Sequence, residues 1–207
     1  GELTVFVDGF KGLQGIVVHE NVIFAAAKGL KAEKEDSGAV FKIPILPDGG
    51  AGPVSKITKN KIKKPFGLGL DALGSLYVSA EEIELEKKIK DAIGKIALDG
   101  TLTRFASKLE KPRGLAFDGS GNLYAADDNG GKKGRIIRFR APPPPLLTIP
   151  AFTKQNPLTV AGTTEANSRI DAFVNDSATP ITISTNDGSF SFALHLTPND
   201  LQLTIKQ

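Results

Sequence analysis

Hydrophobic residues in this chain come in short runs broken by Gly, Pro, Asn and Asp, and within the runs apolar and polar positions mostly alternate. That spacing predicts β-strands joined by turns, and hence an all-β protein. Three stretches share one pattern around a glycine. Gln14-Gly15-Ile16-Val17-Val18 is followed by Asn21-Val22-Ile23-Phe24-Ala25-Ala26. Lys64-Pro65-Phe66-Gly67-Leu68-Gly69-Leu70-Asp71 is followed by Gly74-Ser75-Leu76-Tyr77-Val78-Ser79, and Lys111-Pro112-Arg113-Gly114-Leu115-Ala116-Phe117-Asp118 by Gly121-Asn122-Leu123-Tyr124-Ala125-Ala126-Asp127. The anchor glycines lie 52 and 47 residues apart. A third strand is expected at 38–43, 94–98 and 134–139, and in the first two units a fourth at 53–57 and 101–105. Repeats of roughly 40–50 residues with four short strands each are the mark of β-propeller blades, here about three.

Composition sets the domain boundary. Ala141-Pro142-Pro143-Pro144-Pro145 has four prolines without N–H groups and reads as a stiff spacer over 141–145. Residues 1–140 hold 23 Lys and Arg against 18 Asp and Glu, whereas 141–207 hold 3 against 5. Beyond the spacer, 146–207 alternates at 158–162, 169–174, 181–184, 190–196 and 201–205, which predicts a small antiparallel β-sandwich. With 40% apolar residues the chain has enough to bury a core, and no stretch approaches the ~20 apolar residues of a membrane span. It has no Cys, so disulfides, thiol nucleophiles and Cys-based metal sites are excluded; His19 and His195 are too few for a histidine-based centre and read as structural. A chain that begins at Gly1 and has no Met is expected to be a product from which an N-terminal piece, such as a signal peptide, has been removed or is not seen.

On the residues quoted for the third unit, with Arg135-Ile136-Ile137-Arg138-Phe139, residues 1–140 resemble an NHL-repeat β-propeller. The junction departs from that family: Asp127-Asp128-Asn129 is followed by a Gly-Lys loop before Arg135, and the first unit lacks the Pro and the acidic turn. Leu158-Thr159-Val160-Ala161-Gly162-Thr163-Thr164-Glu165-Ala166, Phe173-Val174-Asn175 and Asp187-Gly188-Ser189-Phe190-Ser191-Phe192 resemble a bacterial Ig-like domain. These resemblances imply a secreted or surface location, and modules that act as spacers, adhesive units or polymer contacts.

Two units have four strands and the third has three, fewer blades than the roughly four to eight of ordinary propellers. The opening run with Leu3, Val5 and Val7 looks like the outer strand of a blade and is the candidate assembly strand. A fragment of a longer protein, two copies each giving half of a six-bladed ring, and a three-bladed unit held in a polymer all satisfy the count. Assembly of copies, with the strand donated in trans, is the favoured reading. The insertion over 80–93 fits either a short rim helix, with Glu84/Lys88 and Glu86/Lys90 four apart, or a charged hairpin.

Gln14, Phe66 and Arg113 precede the anchor glycines; in NHL-like propellers the corresponding loops line one end of the central channel, which makes these three the ligand-contact candidates. Asp71, Asp118, Asp127 and Asp128 raise a calcium site, with Asp127 and Asp128 the metal candidates, but all four are better read as turn and loop acids. No cofactor is expected. Lys56, Lys59, Lys61, Lys63 and Lys64 form a basic run without interleaved aromatics, so a solvated face is expected rather than a nucleic-acid surface. Asn175-Asp176-Ser177 fits a glycosylation sequon. The expectation is a non-enzymatic extracellular protein for surface attachment or a fibre, partnering copies of itself, or a surface polysaccharide or protein. The alternative is a propeller enzyme of the metal-dependent lactonase or lyase type; in the related gluconolactonase class a central metal is held by Glu, Asn and Asp, and no matching set stands out here.

Overall fold

The computed structural model describes residues 3–33, 38–72, 74–97, 99–129, 133–143, 146–148, 156–166, 168–174, 181–195 and 203–206. Asn175 lies outside these residues. The chain divides into two compact units, Gly1–Ala141 and Pro142–Gln207.

The first unit contains three antiparallel sheets in chain order. The first runs β2-β3-β5-β6, from β2 (Gly15–His19) through β3 (Val22–Ala27) and β5 (Ala39–Pro44) to β6 (Ser55–Lys56). A two-residue ribbon of β1 (Phe10–Lys11) and β4 (Gly29–Leu30) lies beside it. The second sheet runs β7 (Ile62–Leu70), β8 (Leu76–Glu84), β9 (Lys88–Ile96) and β10 (Leu102–Ala106). The third has β11 (Pro112–Phe117), β12 (Leu123–Asp127) and β13 (Arg135–Phe139).

Each strand alternates its side chains between two faces, and where two sheets adjoin their facing sides cover each other without a separate layer between them. Val17, Ala26 and Val40 of the first sheet pack with Leu68, Val78 and Ala80 of the second. Tyr77 and Ile93, on the opposite face of the second sheet, pack with Leu115, Phe117, Leu123 and Ala125 of the third. Tyr77 meets the Phe117 ring at 5.0 Å between centroids. Each fully buried aliphatic or aromatic side chain contributes about 1.5–3 kcal/mol, and two of the buried clusters lie between sheets, while a third, with Phe41 and Ile43, packs against Val7, Phe10 and Leu30 on the other face of the first sheet. This is the stacked-wedge geometry of propeller blades.

The anchor glycines explain how tightly the inner strands β2, β7 and β11 stack. A β-carbon on Gly15 would run into the Phe66 carbonyl oxygen, and one on Gly67 into the Arg113 carbonyl oxygen. On Gly69 it would lie 3.2 Å from Leu115 Cβ and 3.3 Å from the Phe117 ring. On Gly114 it would meet nothing within 4 Å.

Two expectations are resolved or corrected. The 80–93 insertion is a hairpin: β8 and β9 pair from Leu76↔Ile96 out to Glu84↔Lys88. The Glu/Lys spacing that mimics a helix face instead places Glu84 opposite Lys88 and Glu82 opposite Lys90 across the ladder, while Ile83 is buried in the core. The run with Leu3, Val5 and Val7 forms no strand in this chain, and does not complete the third sheet. It lies along the first sheet, whose core cluster Val7 joins.

The second unit holds two three-stranded antiparallel sheets. One orders β14 (Leu146–Thr148), β15 (Leu158–Thr163) and β18 (Ser189–Leu194); the other orders β17 (Ile181–Ser184), β16 (Arg169–Val174) and β19 (Leu203–Lys206). Leu158, Val160 and Leu194 of the first pack with Val174 and Ile205 of the second.

Candidate functional site

The inner strands lose their regular ladder just before the anchor glycines. Register shifts between Pro65 and Leu68 in β7, and between Pro112 and Leu115 in β11. The Lys-Pro pair is the cause: proline has no N–H to give the ladder. Lys64 and Lys111 ahead of it take φ of 46° and 67°, a left-handed conformation that costs a residue with a β-carbon about 1–3 kcal/mol. Bulges of this kind re-aim the side chains that follow.

The side chains re-aimed here are Phe66 and Arg113, and they meet. The Arg113 guanidinium carbon lies 3.9 Å from the centre of the Phe66 ring, a cation–π stack between the second and third sheets. Ser79 fixes the backbone behind them. Its buried hydroxyl accepts from the Gly67 N–H at 2.9 Å and donates to the Arg113 carbonyl.

Beside this stack, β7 and β8 contribute a charged cluster. Lys63 Nζ lies 2.8 Å from Glu81 Oε1 and Lys64 Nζ 2.6 Å from Glu81 Oε2. The hydrogen bonds from Lys63, then Lys64, hold the Glu81 carboxyl down to about 2, and Glu81 in turn raises Lys63. A carboxyl so acidic takes up no proton at neutral pH; Glu81 orders two lysines and is unsuited to general-base work. The cleft between stack and cluster has a volume of about 510 Å³. Phe66 lines it with five cations, Lys63, Lys64, Lys90, Lys111 and Arg113, against three anions, Glu81, Glu82 and Asp91. The cationic surplus suits a small anionic or strongly polarised ligand.

Of the three ligand-contact candidates, the structure thus brings Phe66 and Arg113 together. Gln14 holds the corresponding position just ahead of β2, donates its backbone N–H to the Ala26 carbonyl at 3.0 Å, and does not line the cleft. Lys63 and Lys64 belong to the cleft rather than to an unbroken basic face, and Lys59 pairs with Asp99 at 3.5 Å. The charged cluster escapes sequence reading because Glu81 reaches its lysines only across the β7–β8 ladder.

The acidic candidates have other work. Asp71 accepts from the Ser75 N–H at 2.8 Å, and Asp118 from the N–H groups of Ser120 and Asn122 at 3.0 and 2.9 Å, so both close turns. The bonds from Asn122, its side-chain amide foremost, lower the Asp118 carboxyl. The buried Asp127 carboxylate accepts from the Glu110 N–H at 2.8 Å and from Arg135 at 2.9 and 3.1 Å. The Asp128 N–H donates to the Lys111 carbonyl at 3.2 Å. Among the described residues no three His, Cys, Asp or Glu side chains converge as metal ligands. The donor set of the described residues therefore does not fit the metal that a metal-dependent lactonase would use.

No family model matches this chain, and no curated protein does. Solved structures do resemble it. The gluconolactonase XC5397 from Xanthomonas campestris is 20% identical over 78% of this chain and 58% of its own, with a TM-score of 0.43. The major allergen Mala s 1 of Malassezia sympodialis is 15% identical over 84% and 63%, at 0.40. Virginiamycin B lyase from Staphylococcus aureus is 14% identical over 92% and 59%, at 0.38. The chain thus spans less than two thirds of the length of these proteins. At such identities the likeness bears on fold alone. The expectation of a non-enzymatic attachment or fibre protein finds no counterpart among these similar structures, two of which are a gluconolactonase and a lyase. The all-β, propeller-like architecture is the firm conclusion of sequence and structure together.

Proposed function

We propose that the first unit is part of a propeller enzyme of the lactonase or lyase class, binding a small polyhydroxylated or anionic substrate in the Phe66–Arg113 cleft. The observation that carries this reading is the guanidinium carbon held over the Phe66 ring at 3.9 Å, at the rim of a cleft with a surplus of positive charge. Lactone opening and elimination beside a carbonyl both build negative charge on the carbonyl oxygen. A stacked guanidinium keeps its N–H donors free in its own plane to meet that oxygen, with little reorganisation. Lys90 and Lys111 add charge from the cleft walls, and the Lys63–Glu81–Lys64 cluster keeps two more ammonium groups in place.

The finer assignments belong to the same proposal. The recurring Gly-Leu-x-x-Asp strand supports an NHL-type repeat, the two small sheets of the second unit support an Ig-like module, and together these support an extracellular setting.

The test is turnover of a panel of five- and six-membered aldonolactones, followed by proton release, and of uronate-type substrates, followed by the absorbance of the unsaturated product. Arg113→Ala is expected to lower kcat/KM by about 10²–10³-fold while leaving the fold intact. No turnover of either substrate class, or full activity in Arg113→Ala, would overturn the reading.

A further inference from the structure

The second and third sheets correspond position by position. Gly69 pairs with Tyr77 and Tyr77 with Lys95; Ala116 pairs with Tyr124 and Tyr124 with Arg138. Two residues on, Ser79 pairs with Ile93 and Ala126 with Ile136. In the second sheet this face is covered by the third, and Ile93 is 0% exposed. In the third sheet the same face is bare: Ile136 is 76% exposed, and the space beside Gly114 is open. At the other end of the stack, Ile16 and Val18 of β2 correspond to Leu115 and Phe117 of β11, by their pairing with Ala25 and Ile23 against Ala125 and Leu123. Leu115 and Phe117 pack on the second sheet, whereas Ile16 is 62% exposed.

Residues 3–10 extend the correspondence. Val7 and Phe10 stand eight and five residues before Gly15, as Ala106 and Leu109 stand eight and five before Gly114. Both pairs join the core cluster of the sheet that follows them. Ala106 belongs to β10, the outer strand of the preceding blade; Val7 holds that place with no preceding blade among the described residues. Among the described residues the third sheet, in turn, has no fourth strand beyond β13.

We infer that the bare face of the third sheet seats the first sheet of a second copy of this chain. Residues 3–9 of that copy pair with the free edge of β13 as its fourth strand, and the Gln14 carbonyl approaches Gly114 as the Phe66 carbonyl approaches Gly15. The contact is head-to-tail, the kind that closes into a ring when the rotation between copies allows it. The three described sheets of one copy and the three of a second together make six blades, inside the roughly four to eight of ordinary propellers. The inference stands apart from the catalytic reading, since either can fail without the other.

The test is sedimentation velocity of the full chain over a dilution series, wild type beside Gly114→Ala, Ile136→Arg and Val5→Pro. Gly114, Ile136 and Val5 are exposed in the single chain, so circular dichroism of each variant should match wild type. Expected is a two-copy species that dissociates on dilution, with each substitution raising its midpoint concentration about 10- to 100-fold. A monomer at every concentration, open-ended larger polymers, or a two-copy species indifferent to any of the three substitutions would overturn it.

Discussion

The Arg113 guanidinium lies 3.9 Å above the centre of the Phe66 ring, and the two residues hold the same position in successive repeats. Their side chains meet because their backbones already do: the Arg113 carbonyl faces Gly67, the residue after Phe66. Wedge packing and the candidate site therefore depend on the same few atoms.

Gly67→Ala should cost about 1–3 kcal/mol in chemical denaturation, because the added methyl meets backbone that cannot yield. Gly119→Ala is the control. A β-carbon there would meet nothing within 4 Å, and neither glycine sits at positive φ, so the control should stay within about 0.5 kcal/mol of wild type. Equal effects would mean that crowding between β7 and β11 is not what selects glycine.

Asp127 is expected to act on stability. Asp127→Ala removes the acceptor for the Glu110 N–H and for Arg135, and should lower unfolding free energy by about 1–3 kcal/mol. Calorimetry with and without added calcium should give the same midpoint for wild type. A calcium-dependent rise that vanishes in Asp127→Ala would restore the metal reading.

The Lys63–Glu81–Lys64 cluster makes a prediction in pH. The Glu81 carboxyl is depressed from its ordinary 4.5 to about 2. A depressed acid supports the folded state above its unfolded pKa, so its contribution is complete above about 4.5 and is lost as pH falls toward about 2. Carboxyl carbon NMR should show Glu81 titrating near 2 in wild type and nearer 4.5 in Lys63→Ala/Lys64→Ala. A wild-type midpoint near 4.5 would show that the lysines do not hold it in solution.

Much of the fold was legible from glycines and turns. Gly15, Gly67 and Gly114 mark real inner strands, and Asp71 and Asp118 close turns as their sequence contexts suggest. The helix alternative over 80–93 arose because Glu/Lys pairs four apart fit a helix face and also the two sides of a tight hairpin; only the buried Ile83 and its neighbours decide between them. Phe66 and Arg113 could be singled out by their shared place before a glycine, but their contact could not, since it depends on how two blades lean together. Glu81 carried no signal, because its partners lie across a ladder whose register is shifted by Pro65. The opening run looks strand-like in composition, but an edge strand is defined by its partner, and residues 3–9 form no strand in the single chain.

The chain's freedom from cysteine makes one experiment especially direct. A β-carbon on Gly69 would lie 3.2 Å from Leu115 Cβ, near the roughly 3.5–4.5 Å that a disulfide spans, although these residues belong to different sheets. Oxidised Gly69→Cys/Leu115→Cys should form an intrachain bond in high yield, read as a faster-migrating monomer band and a mapped cross-linked peptide. Free thiols, or bonds only between chains, in a protein that keeps its β-sheet spectrum would mean that β7 and β11 do not stack face to face.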